Sequence, residues 1–286
     1  MYNLPPNSNL ETLINSALEE DLDDVGDLTS QSLFSSPENG KAVLITKSNG
    51  IISGIPVFIR VYELIDNNID VNFSVQEGDA MEKGNIIAEL RGRIQSILKG
   101  ERISLNFLQR MSGIATLTHK FVEKIAHTGT KILDTRKTTP GYRFLEKQAV
   151  KQGGGVNHRF GLHDMILIKE NHITAAGGIV PAVTTCLNWM GKNQISVKIE
   201  VEVQNCEQIQ KIINYPIHRI MLDNFSLTSM QEAVKLINHK CEVEVSGNIT
   251  LENVQKVAKT GVDFISVGSL THSAPPLDMT ILLGNK

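Results

Sequence analysis

The chain has 286 residues but only three cysteines: Cys186, Cys206 and Cys241, scattered and odd in number. None lies in a Cys-x-x-Cys spacing, so neither a zinc site nor a disulfide framework is expected, and a reducing compartment fits. Charge of one sign is scarce too. A formal net charge of −3 argues against a general binder of nucleic acid or anionic membrane. Long apolar runs are missing, and no segment has the length needed to span a bilayer. The opening stretch, MYNLPPNSNLETLINSALEEDLDD, is polar and acidic and lacks a basic-then-apolar leader pattern. No strict repeat or low-complexity segment occurs. A soluble, cytoplasmic protein is the expectation. Its apolar content of 41% is ordinary for a globular chain, and the length suffices for two domains.

The second half of the chain is regular. Short Val- and Ile-rich segments at 131–135 (KILDT), 165–169 (MILIK), 196–203 (SVKIEVEV), 219–222 (RIML), 241–245 (CEVEV) and 263–267 (DFISV) read as strands. Amphipathic segments alternate with them. Ser226 is the expected cap of a helix over 226–240, and Thr250 that of a helix stopped by Gly261. Alternation of this kind means βα units and a parallel sheet, either a barrel or a doubly wound sheet. The first half differs. KAVLITKS, GIISG, VNFSV and NIIAEL read as β segments punctuated by glycines at 50, 54, 78, 84 and 92. They suggest a smaller sheet-containing domain, followed by a long helical region over 99–124.

Charge is focused in one stretch. Between Arg136 and Lys169 there are seven Lys or Arg residues but only two acids, Glu146 and Asp164. Such an excess inside an acidic chain points to a focused anion site. Lys147 and Lys151 fall in the helical pattern YRFLEKQAVKQ and read as solvated helix face. The others occupy meaningful positions. In parallel α/β barrels chemistry sits at the carboxyl ends of the strands. Arg136 and Lys137 follow the first of these predicted strands, Lys169 ends the second, and Glu202 lies near the end of the third. Asp223 follows the fourth, Ser246 and Gly247 the fifth, and Gly268 the sixth. The loops SGNIT and GSLTHS are small enough for backbone N–H groups to approach a phosphate. In GGGVNHR, His158 and Arg159 follow three glycines and read as a loop shaped around a ligand.

These residues resemble the quinolinate phosphoribosyltransferase family. The matching strings are GDLT (26–29), ERISLNFLQRMSGIAT (101–116), DTRKTTPGYR (134–143), GGGVNHRFGLHDMILIKENH (153–172), EVEV (200–203), IMLDN (220–224), SGNIT (246–250) and DFISVGSLTHS (263–273). They span nearly the whole chain in order. The resemblance implies an N-terminal α/β sandwich and an incompletely closed α/β barrel of about seven parallel strands. Expected boundaries are 1–115 for the sandwich with its linking helix, 116–272 for the barrel, and 273–286 for a segment packing back on the sandwich. It also implies a homodimer, magnesium, and conversion of quinolinate and phosphoribosyl pyrophosphate to nicotinate mononucleotide, pyrophosphate and carbon dioxide.

By the same resemblance, Arg136, His158 and Arg159 grip the quinolinate carboxylates, and Arg102 comes from the neighbouring subunit. Lys137 and Lys169 lie near the phosphoribosyl group and pyrophosphate. Glu202 and Asp223 hold ribose hydroxyls and magnesium, with Glu200 a rival for Glu202 because both face one side of the strand. Ser246, Gly247 and Gly268 form the 5′-phosphate cradle, and Thr138 and Ser269 are further substrate-binding candidates. Position 248 is Asn where the family often has Gly; Asn tolerates the unusual backbone angle. The alternatives are a related phosphoribosyltransferase with another ring acceptor and a Schiff-base barrel aldolase using Lys137 or Lys169.

Overall fold

A computed structural model describes residues 10–284. In chain order its elements are α1 (Leu10–Leu22), α2 (Leu28–Leu33), β1 (Asn39–Thr46), β2 (Gly50–Ile51), α3 (Ile55–Ile65), β3 (Asp70–Phe73), β4 (Ala80–Met81), β5 (Ile86–Arg93), α4 (Ile94–Ile125), β6 (Lys131–Leu133), α5 (Arg143–Gln152) and β7 (Ile166–Ile168). Then follow α6 (Glu170–Ala175), α7 (Ile179–Asn193), β8 (Ile199–Val203), α8 (Cys206–Ile212), β9 (Arg219–Asp223), α9 (Leu227–Ile237), β10 (Glu242–Ser246), α10 (Val254–Ala258), β11 (Phe264–Ser266), α11 (Ser269–His272) and β12 (Met279–Leu283). The chain divides into two compact units. One holds the described residues up to His119, Thr138–Gly154 and those from Thr271; the other holds Lys120–Lys137 and Gly155–Leu270. The ends of the expected domains, 1–9 and 285–286, lie outside the described residues.

In the first unit, β12, β1, β5 and β3 form a four-stranded antiparallel sheet. β1 alternates in burial, with Ala42, Leu44 and Thr46 inward, as a sheet with one covered face requires. That face packs on α3 and α4 through Phe58, Tyr62, Ile87, Leu90, Ile97 and Leu108. β12 was not among the expected strands: its five residues lie in the segment expected to pack back on the sandwich, and they pair with β1 from Ala42↔Leu283 to Thr46↔Met279.

In the second unit, six parallel strands run in the order β6-β11-β10-β9-β8-β7. All six expected strands are there. A parallel bridge joins Leu133 to Val156, so the seventh strand that the resemblance implied is reduced to a single residue beside β6. Strands β8 and β9 are buried almost end to end, as in a sheet covered on both faces. Ser226 caps α9 by accepting from the Ser229 N–H. The helix stops at Asn238 in a left-handed conformation, two residues short of the expected end. Thr250 does not cap a helix: α10 begins at Val254 after Asn253, because residues 250–253 form a turn in which the Thr250 carbonyl accepts from the N–H groups of Asn253 and Val254.

Two further expectations change. Lys147 is 2% exposed, because its position on α5 turns it inward, whereas Lys151 is exposed. The first glycine of GGGVN serves packing: a Cβ at Gly153 would lie 2.3 Å from the Ala115 carbonyl oxygen. Gly113, within α4, is tighter still, since a Cβ there would lie 2.1 Å from the Pro275 carbonyl oxygen. Replacing a helical glycine by alanine ordinarily stabilises by about 1 kcal/mol. Gly113→Ala should instead destabilise by about 1–3 kcal/mol, seen as a lowered midpoint in urea denaturation.

Candidate functional site

The parallel register of the second unit brings the strand ends level. Glu202 pairs with Met221, Val203 with Leu222, and Ser246 with Asp223. Residues paired in a parallel ladder point to the same face, so Glu202, Asp223 and Ser246 share the inner face at the carboxyl end. The loops beyond are tied together as well. The Asn224 N–H donates to the Ser246 carbonyl at 3.0 Å, and the Asn248 amide donates to Asn224 Oδ1 at 3.2 Å. Asn248 adopts φ +53°, the angle expected to tolerate Asn. Gly247 has φ +101°, and a Cβ there would meet Asn224 Oδ1 at 2.2 Å; only glycine fits. Gly268 follows β11, and Ser269 opens α11.

Two charge clusters stand on these ends. In the acidic one, Lys169 Nζ lies 2.9 Å from Glu202 Oε2. Asp223 has a raised pKa, first through burial and then through repulsion by Glu202, with the Asn224 hydrogen bond and Lys169 and Lys137 acting in the opposite sense. Glu202, Asp223, Lys137 and Lys169 are therefore within electrostatic reach of one another. In the cationic cluster, Arg159 is 9% exposed and its guanidinium donates to the Met165 carbonyl at 3.0 Å. Its pKa is lowered, first by burial and then by Arg136. Two guanidiniums are thus held close enough to repel.

Thr138 Oγ1 accepts from Arg143 Nε at 2.9 Å. The next residue, Thr139, donates its N–H and its hydroxyl to the fully buried Glu146 at 3.1 and 2.9 Å, and Arg110 binds the same carboxylate at 2.6 Å. Arg102 is exposed on α4, in the first unit.

Glu200 and Glu202 occupy different environments. Glu200 is fully buried, with Oε2 3.0 Å from His158 Nε2. Glu244, also fully buried, has Oε2 3.5 Å from the same nitrogen and 2.7 Å from Arg219 Nη1. Arg219 reaches Glu242 at 2.9 Å and stacks 4.0 Å over the Phe264 ring. The Ser266 hydroxyl donates to Glu244. Sequence reasoning missed Arg219 and Glu244. The period-2 placement of Glu200 with Glu202, and of Glu242, Glu244 and Ser246, was the available signal, since it sets charged residues along an inward face.

An α/β barrel that gathers cations and paired acids at the carboxyl ends of its strands is a site for polyanionic substrates. The comparisons narrow the class. Residues 27–112 match the N-terminal domain and residues 114–282 the C-terminal domain of quinolinate phosphoribosyl transferase. Quinolinate phosphoribosyltransferase [decarboxylating] 1b of Nicotiana tabacum is 40% identical over 291 residues, covering 96% of this chain and 83% of that protein. The probable nicotinate-nucleotide pyrophosphorylase [carboxylating] of Bacillus subtilis is 43% identical over 279 residues, covering 97% and 95%. The structure of the nicotinate-nucleotide pyrophosphorylase from Francisella tularensis superposes with a TM-score of 0.91 at 40% identity, covering 96% of each chain. The chain belongs to the quinolinate phosphoribosyltransferase family.

The buried acids give a pH-dependent stability. Glu244 is raised from its usual 4.5 to about 7, first by burial and then by Glu200. The folded chain therefore holds a proton that the unfolded chain releases lower on the scale. Stability from this group is complete below 4.5 and is lost as pH rises toward 7. Urea denaturation should show a fall in stability across that interval, and Glu244→Gln should flatten it.

Proposed function

We propose that this chain transfers the phosphoribosyl group of phosphoribosyl pyrophosphate to the ring nitrogen of quinolinate and decarboxylates the adduct, giving nicotinate mononucleotide, pyrophosphate and carbon dioxide in NAD biosynthesis. It is a pentosyltransferase. The observation that carries this reading is the buried Arg159, whose guanidinium is fixed on the Met165 carbonyl within electrostatic reach of Arg136. Two guanidiniums within reach of one another suit a dianion, and a guanidinium meets a carboxylate in a two-pronged geometry that a lysine lacks.

Lys137 and Lys169 face the acids and receive the departing pyrophosphate. Ser246, Gly247, Gly268 and Ser269, on neighbouring strands β10 and β11, hold the 5′-phosphate, while Thr138 lies on the loop that follows Arg136 and Lys137. Glu202 and Asp223 orient the ribose hydroxyls as positive charge develops on the sugar. The pyridine nitrogen forms the bond to the ribose as the bond to pyrophosphate breaks. The ring is then a cation. Loss of carbon dioxide leaves an electron pair at the ring carbon beside the positive nitrogen, and that carbon takes up a proton. No organic cofactor is needed for this step.

Magnesium fits the acidic cluster. Glu202 and Asp223 are two hard oxygen donors on adjacent strands whose mutual repulsion is already expressed in the raised pKa of Asp223. When bound there, magnesium supplies charge neutralisation for the phosphate oxygens. Arg102, exposed in the first unit, is offered to the site of a second chain, making a homodimer. The described cysteines are all free, in keeping with a cytoplasmic setting, and no described helix is long and apolar enough to cross a membrane.

Incubation with quinolinate, phosphoribosyl pyrophosphate and magnesium should release carbon dioxide and nicotinate mononucleotide; chelation should stop it. Arg159→Ala should lower kcat/KM for quinolinate by about 100-fold, since breaking a desolvated charge pair costs about 2–5 kcal/mol. A near-normal value would remove Arg159 from the clamp. Mixing the impaired Arg102→Ala and Arg159→Ala chains should raise turnover, because one site of a mixed dimer draws both arginines intact. No recovery after subunit exchange would count against the shared site.

A further inference from the structure

Three asparagines and a glycine fasten the ends of β9 and β10 to each other. Asp223 and Ser246 stand level in the ladder, about 5 Å apart. Beyond them the chain enters the left-handed region at Asn224 (φ +55°), Gly247 (φ +101°) and Asn248 (φ +53°). The Asn224 side chain lies against Gly247, where a Cβ would meet its Oδ1 at 2.2 Å and its Cγ at 2.8 Å. Both ends of that amide are used. Nδ2 donates to Asp223 Oδ2 at 3.0 Å, and Oδ1 accepts from Asn248 Nδ2 at 3.2 Å. Asn248 is held in turn: Asn253 Nδ2 donates to its carbonyl at 2.8 Å, while Asn253 Oδ1 accepts from the Thr250 N–H at 2.9 Å.

This line of amides joins two groups that a phosphorylated sugar must meet together. A ribose 5-phosphate unit carries its hydroxyls and its phosphate at a set separation. The Asp223 carboxylate can rotate about its side-chain torsions, and a loop containing glycine can shift, so each end alone would have to be ordered by the ligand. Ordering both beforehand removes that cost from the binding step. The bond to Asp223 suits the task, because a hydrogen bond to a carboxylate is stronger than one between neutral groups. It fixes the plane of the carboxylate. The bond from Asn248 then ties that plane to the loop after β10. Glycine at 248 would keep the backbone angle and lose the tie.

We infer that Asn224 is a positioning residue that couples the two ends of the ribose site: its amide N–H sets the Asp223 carboxylate, and its amide oxygen, gripped by Asn248, locks that carboxylate to the Ser246–Asn248 loop. This deepens the reading of Asp223 as the acid for the ribose hydroxyls and of Ser246 and Gly247 as the phosphate cradle, and rests on it. Asn224 acts on the sugar through Asp223 and through the loop. The quinolinate clamp lies outside this line of bonds.

Calorimetric titration with nicotinate mononucleotide, which carries the 5′-phosphate and both ribose hydroxyls, reads the coupling without turnover, and quinolinate alone is the control. Asn224→Gly removes both side-chain bonds and keeps the backbone angle. It should weaken nucleotide binding about tenfold, the scale of one charge-assisted hydrogen bond. Asn248→Gly should weaken it about threefold, the scale of a neutral bond. The double variant should lose about tenfold, rather than the roughly thirtyfold of independent sites, because Asn248 acts through Asn224. Quinolinate affinity should not change. Unchanged nucleotide binding in folded Asn224→Gly, an equal loss for quinolinate, or additive losses in the double variant would each overturn the inference. Should Asn224→Gly not fold, Asn248→Gly decides, and an unchanged nucleotide affinity there counts against the coupling. Backbone amide exchange at Asn224, whose N–H bonds the Ser246 carbonyl, should quicken in Asn248→Gly with no ligand present, since local opening becomes easier. An unchanged rate would remove the tie between the loops. Failure of the wild type to bind nicotinate mononucleotide would strike the reaction assignment instead, with the exchange rate still deciding whether the tie exists.

Discussion

Charges of like sign are held side by side at the carboxyl ends of one parallel sheet, and the rest of the architecture serves that constraint. Arg136 depresses Arg159, and Glu202 raises Asp223. Neither pairing favours the fold by itself. The acidic pairing is imposed by the ladder, in which Asp223 stands level with Ser246 and Glu202 level with Met221 on the same face. Crowded charges of one sign favour partners of the opposite sign. Electrostatic preorganisation of this kind needs no rearrangement at the moment of reaction.

Beneath that layer the barrel departs from the branched apolar filling usual in such folds. Glu200, Glu244, Arg219 and Ser266 are buried there. Taking ions out of water is costly, and a buried ion pair repays the cost only when its remaining donors and acceptors are engaged. Arg219 meets this condition with two carboxylates and an aromatic face. The result is a directional support in place of a merely cohesive one.

The first unit is built by ordinary means. A half-covered antiparallel sheet buries alternate residues against two helices, and close backbone approaches at Gly113 and Gly153 replace side-chain contacts. Its chemical contribution is narrower: Glu146 and Arg110 fasten the segment beginning at Thr139, immediately after the loop that carries Arg136, Lys137 and Thr138.

The sequence by itself determined the parallel sheet of the second unit, since its Val- and Ile-rich segments recur with helical stretches between them. It also determined which strand ends carry charge, because period 2 fixes the face of every residue once a strand is recognised. The strand at 279–283 and the depth of Lys147 escaped it, for pairing partners and burial depend on segments far away in the chain. Only the tertiary structure distinguishes the surroundings of Glu200 from those of Glu202. Both face one side of one strand, about 7 Å apart along it, and what distinguishes them is the company brought by other strands: Lys169 and Asp223 for Glu202, His158 and Glu244 for Glu200. Residue type and spacing set what a side chain can do, whereas its neighbours across the sheet set what it does.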